Sequence, residues 1–206
     1  MKIKNINIRN DGYILCESAF YTVDDIINEN KNFEFNTGVN VLHGEIDSGN
    51  FAVSYLISMY NKVNKETLFL PFEATVNGQV MPLADLTKYA CYMDLKYPLF
   101  ASNRSVERLI SSGLKKSGLQ KTVKDIKNLF GLDDDRFQRP LKCVGNERFR
   151  AMAAVAYSYD KQIYCFPWMS KMRFDYYGKN ISWLLQVLES LGKIIILPCG
   201  DGYDTM

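Results

Sequence analysis

Residues 40–61, NVLHGEIDSGNFAVSYLISMYN, decide how the chain is read. The apolar run VNVLH has the length of a buried strand, and a helix-period stretch follows Asn50. Between them Gly44 and Gly49 stand at the spacing G-x-x-x-x-G. A strand, such a loop and a helix form the context of a phosphate-binding loop, in which glycines let successive N–H groups turn inward and the helix start adds its positive end. Two glycines also make an ordinary tight turn. The lysine expected after the second glycine is absent, and Asn50 stands there.

Composition bounds the alternatives. The chain has 206 residues, 47% of them hydrophobic, enough for a substantial core in one domain or in a domain with a smaller lobe. Charged residues make up 23% and the formal net charge is +2, so no global field draws the protein to nucleic acid or anionic lipid. Five cysteines, Cys16, Cys91, Cys143, Cys165 and Cys199, are scattered without a C-x-x-C pair. That pattern argues against a zinc ribbon and a disulfide framework and fits a reducing cytoplasm. The polar start MKIKNINIRNDGY and the lack of a long apolar run predict neither a cleaved signal nor a membrane span.

Further strand-length apolar runs occur at TLFLPF, YACYMD, QIYCF and KIIILP, with helix-period stretches between several of them. This alternation predicts an α/β domain with a mostly parallel sheet. IKNINIR and FEFNTG read instead as an N-terminal antiparallel β flap, with Gly12 and Gly38 as turns. From about 100 to 140 the pattern becomes helical and polar, predicting a helical lobe inserted in the core of a single domain spanning residues 1–206. Lys115, Lys116, Lys121, Lys124 and Lys127 give it a solvated face or a basic docking face, and Asp133 to Asp135 read as its exit loop.

Taken in order, these segments resemble the nucleotide-binding domain of the ABC transporter family, a P-loop NTPase-like fold, over nearly the whole chain. GVNVLHGEIDSGN matches the phosphate loop, TKYACYMDLKYPLFASNRSVERLI the glutamine loop and the entry to the helical lobe. CVGNERFRAMAAVAYSYDKQIYCFPWMS runs from signature motif to catalytic strand, with Gly145, Glu147 and Arg150 in register. GKIIILPCGD matches the strand that delivers the family's switch histidine.

The same match implies what is missing. The family's lysine becomes Asn50 and its magnesium-binding Ser/Thr becomes Phe51. Its metal-shell aspartate and general-base glutamate become Pro167 and Trp168. The glutamine becomes Asp94, the signature Ser-Gly-Gly becomes Val144-Gly145-Asn146 followed by Glu147, and the switch histidine becomes Gly200. Loss of one charge-stabilising group typically costs a factor of about 10² to 10³ in phosphoryl transfer, and several are lost together. No catalytic residue is expected. Gly44, Ser48, Gly49 and Asn50 remain as a vestigial nucleotide loop, with Tyr13 where the family stacks adenine. Glu45 and Asp47 set two carboxylates beside any polyphosphate, so no cofactor is expected, although weak ATP binding stays open.

His43 is the one histidine, which excludes a histidine-rich metal site, and no metal is expected. In the resembled fold His43 and Cys199 end neighbouring strands, an arrangement open to a Cys–His pair or to plain structural roles. Phe51 and Trp168 read as a plug in an emptied site or as an anchor for a partner. Three functions follow: a non-hydrolysing subunit or accessory protein of a transporter, a divergent active ATP-binding subunit, or a free-standing interaction module or homodimer. The resemblance implies as partners a second ABC ATPase subunit or a membrane permease. The expected location is cytoplasmic, peripheral on the inner membrane face through that permease.

Overall fold

The structure, a computed structural model, describes residues 1–10, 13–14, 26–27, 32–45, 50–62 and 72–200. The expected turn at Gly12, Cys16, the loop residues Asp47, Ser48 and Gly49, and the side chain of Tyr13 lie outside what is described.

An antiparallel sheet opens the chain. Strand β1 (Asn5–Asn10) is followed by the short antiparallel pair β2 (Tyr13–Ile14) and β3 (Ile26–Ile27), then by β4 (Asn32–Asn36). With β6 (Phe72–Val76) and β7 (Gln79–Val80) the order is β4-β1-β6-β7. Alternation sets its faces: Ile6, Ile8, Phe33, Phe35, Ala74 and Val76 are buried, while Asn7, Arg9, Asn32, Glu34 and Asn36 meet solvent. The β6–β7 hairpin turns on Asn77 and Gly78, with φ of +50° and +80°, the pair of positive values that a type I′ turn requires. Asn77 also fixes the N-terminus, its Oδ1 accepting from the Lys4 N–H at 2.8 Å. The expected strand TLFLPF overlaps β6 only at Phe72, and β6 belongs to this flap rather than to the parallel sheet.

The second sheet is parallel: β5 (Gly38–His43), β10 (Ile194–Cys199), β9 (Ile163–Cys165) and β8 (Ala90–Tyr92), in that spatial order. β8, β9 and β10 are buried at every position, as strands covered on both faces must be. Helix α1 (Asn50–Met59), buried from Phe51 to Met59, packs against β8, β9 and β10. The short helix α2 (Leu83–Leu86) leads into β8.

Between β8 and β9 the chain is helical. Helix α3 (Val106–Ser117) starts on Ser105, whose side chain accepts from the Arg108 N–H, and stops at Gly118 in the left-handed conformation, φ +71°. Helix α4 (Val123–Leu129) opens with a capping box between Thr122 and Asp125. Asp133 caps the further short helix α5 (Asp134–Phe137), which corrects the reading of Asp133 to Asp135 as an exit loop: a carboxylate ahead of free N–H groups starts a helix. Lys127 pairs with Asp134 and so leaves the exposed set of Lys115, Lys116, Lys121 and Lys124. Helix α6 (Arg148–Ser158) presents its small residues inward, and α3 closes on it where Gly113 meets Ser158. Helix α7 (Lys171–Ser190), capped by Ser170, packs against β5, β10 and α6. No helix among the described residues is long and apolar enough to cross a membrane.

Candidate functional site

Ligand sites of open α/β sheets lie outside the carboxyl ends of the strands, and here those ends gather most of the residues singled out from sequence. β5 and β10 run in register to Cys199 opposite His43, and the Cys199 Sγ lies 3.9 Å from the His43 Nδ1. Cys199 is fully buried and His43 is exposed. Gly44 leaves β5 with its N–H donating to the Cys199 carbonyl at 3.0 Å and with φ +149°, a value that favours glycine.

The groups next to this loop are turned onto the protein's own backbone. The Asn50 Nδ2, at the start of α1, donates to the His43 carbonyl at 2.7 Å. The Trp168 Nε1 donates to the Gly44 carbonyl at 3.1 Å. Trp168 is half-buried and packs against the core, while Phe51 is 5% exposed and belongs to it. Ser54, one turn along α1, donates from its buried hydroxyl to the Phe166 carbonyl at 2.6 Å and so fixes the helix start relative to the end of β9.

Gly200 faces the same space. A Cβ built there would touch the Trp168 ring at 3.4 Å and the Glu45 carboxylate at 3.5 Å. An indole and a carboxylate therefore border the position at the end of β10, and the second carboxylate of the loop, Asp47, is not described. Among the described residues no group of three or more His, Cys, Asp or Glu side chains could hold a metal ion.

One strand further across, Asp94 follows β8 and its Oδ1 accepts from the Lys96 N–H at 2.9 Å. Pro167, buried, follows β9. The two line a cavity of about 230 Å³. Arg148, Arg173 and Tyr177 complete it from α6 and α7. Sequence reading did not find this cluster, because its members come from four elements and share no local spacing.

The signature-like residues lie elsewhere, between α5 and α6. Val144 is 2% exposed and points into the core, whereas Gly145 and Asn146 are exposed. Gly145 has φ +70° with open space around a built Cβ, so its conformation rather than crowding calls for glycine. Glu147, 8% exposed, is held by Arg150 at 3.1 Å and Arg136 at 3.3 Å, and also accepts from the Asp133 N–H. The Arg150 guanidinium in turn stacks over the Trp183 ring at 5.4 Å. These residues stitch the helical segment to α6 and α7.

Buried thiols in the sheet keep their protons. Burial pushes the Cys91 thiol up to about 12 and the Cys165 thiol well above its usual range. The four described cysteines, Cys91, Cys143, Cys165 and Cys199, carry free thiols.

No family model and no curated protein matches the chain. Solved structures do. A Pyrococcus furiosus protein, named as an ABC transporter ATP-binding protein, superposes with a TM-score of 0.62 at 17% identity, over 97% of this chain and 93% of that one. A bacterial Atm1-family ABC exporter, solved with ATP bound, gives a TM-score of 0.62 at 12% identity over 98% of this chain and 35% of the exporter. With its parallel sheet, antiparallel sheet and interposed helices, the chain has the α/β fold of ABC transporter ATP-binding proteins.

Proposed function

We propose that this protein is an ABC ATPase-like chain that acts by binding and does not turn over ATP. One observation carries the reading: the Trp168 Nε1 donates to the Gly44 carbonyl, setting an indole against the first glycine of the loop. Around it Asn50 is committed to the His43 carbonyl, Phe51 is core, and Glu45 brings negative charge. This donor set does not suit a magnesium nucleotide. It has no lysine for the outer phosphates, no hydroxyl at the metal-ligand position and no carboxylate after β9.

On this reading the chain is a non-hydrolysing subunit or accessory protein of a transporter, cytoplasmic and held at the membrane by a partner. That partner is a second ATPase-like subunit, a permease or another copy of the chain. The buried Val144 favours a binding role, since the position cannot present a hydroxyl to a nucleotide held by another subunit.

Thermal unfolding of the full chain with and without millimolar Mg-ATP tests the reading. A ligand present at 100 times its Kd stabilises by about 2.7 kcal/mol, a shift of several degrees for a domain of this size. We expect no saturable shift and no phosphate release above a heat-treated control. Magnesium-dependent turnover that is lost in Asn50→Ala would end it.

A further inference from the structure

We propose that the cavity bounded by Asp94, Lys96, Arg148, Arg173 and Tyr177 binds a small organic anion, a carboxylate or phosphate carried on an apolar body. It lies outside the carboxyl ends of β8 and β9, and Gly44, Glu45, Asn50 and Trp168 are not among the described residues that line it. Three cationic side chains border it against one carboxylate. The remaining wall is apolar or aromatic, from Met93, Phe149, Met152, Pro167, Met169 and the ring of Tyr177.

Arg148 is held in place before any ligand arrives. Its Nη2 donates to the Tyr177 hydroxyl at 3.0 Å, and its guanidinium lies 5.9 Å from the centres of the Phe149 and Tyr177 rings. A planar guanidinium fixed in this way loses little conformational freedom on meeting an anion. Phe149 and Tyr177 brace each other edge to face at 5.1 Å, which fixes the aromatic side of the cavity. Arg173 sits in the first turn of the 20-residue α7 and lines the cavity together with Met169, just ahead of that helix. Arginine forks favour a carboxylate or phosphate head, and the apolar wall favours a hydrocarbon or aromatic body.

Size and charge narrow the class. A volume of about 230 Å³ falls below that of pockets for drug-sized molecules and suits a small ligand. Asp94 would repel a highly charged ligand, yet it offers an acceptor for a ligand hydroxyl or ammonium group.

Calorimetric titration of the full chain with phenyl phosphate, benzoate, benzamide and inorganic phosphate tests the assignment. Phenyl phosphate or benzoate should bind saturably and more weakly as salt rises, and neutral benzamide should give no binding. Arg173→Gln and Arg148→Gln should each weaken the aryl anion by about tenfold or more. Arg173 is exposed, so its variant keeps the fold and carries the test if Arg148→Gln melts early. Absence of saturable binding by both aryl anions would overturn the proposal, as would affinity unmoved in both variants. Inorganic phosphate binding as tightly as phenyl phosphate would remove the apolar part of the site and overturn it too. Turnover of ATP would end the reading of the phosphate loop and leave this one intact.

Discussion

At the scale of single residues, several of the side chains that the sequence singled out turn inward. Asn50, Phe51, Val144 and Trp168 are each bonded to backbone or packed in the core. Their identities were readable in the sequence, but what they do was not, because a hydrogen bond from Trp168 to Gly44 joins residues far apart in the chain. The same holds for Arg148 and Arg173, which meet only through the packing of α6 and α7. Tyr164 offers a test of the interior. It is wholly buried in β9 and its hydroxyl has no partner among the described residues, an arrangement that typically costs about 1 to 3 kcal/mol. Tyr164→Phe should therefore be neutral or stabilising in urea denaturation. A loss of more than about 1 kcal/mol would show that the hydroxyl has a partner in solution.

Elements differed in how plainly the sequence announced them. β8, β9 and β10 showed through because buried parallel strands are short apolar runs, and half-buried β5 showed through the apolar residues around Asn40. β6 and β7 did not, since FEATV alternates and faces solvent on one side, although Asn77-Gly78 was an available hairpin signal. Helix α7 was obscured because its inward residues Phe174, Ile181, Leu184 and Leu188 are separated after the first by DYYGKN, a polar and aromatic stretch that hides the helical period. Two helical glycines then separate packing from propensity. A Cβ on Gly113 would lie 2.0 Å from the Ser158 hydroxyl and 2.6 Å from the Tyr159 ring, whereas Gly178 has open space. Gly113→Ala should destabilise by about 1 to 3 kcal/mol through overpacking between α3 and α6. Gly178→Ala should stabilise by about 0.5 to 1 kcal/mol through helix propensity. Equal effects of the two in chemical denaturation would contradict this account of the α3–α6 contact.

For the whole molecule, the buried thiols make stability depend on alkaline pH. Above pH 9.0 an unfolded Cys91 releases its proton while the folded one holds it up to about 12. The folded state then binds more protons, so stability is full below about pH 9 and falls as pH rises through that window, by up to about 1.4 kcal/mol per pH unit for each such group. Cys165 adds to the loss. Lys161 and Lys193, whose burial lowers their affinity for protons, act in the opposite sense below 10.5. Melting curves from pH 8 to 11 should steepen in their decline above the lysine range, and Cys91→Ala should flatten the slope whatever its effect at neutral pH. An unchanged slope would show that the thiol is not sealed from solvent.

The sequence contains two tryptophans, and the structure sets them in unlike surroundings: Trp168 against the Gly44 carbonyl and Trp183 beneath the Arg150 guanidinium. The protein thus carries its own optical reporter. With Trp183 replaced by Phe, the remaining indole emission comes from the Gly44 contact alone, and its wavelength would record displacement of that ring by a ligand or a docking protein without any attached dye.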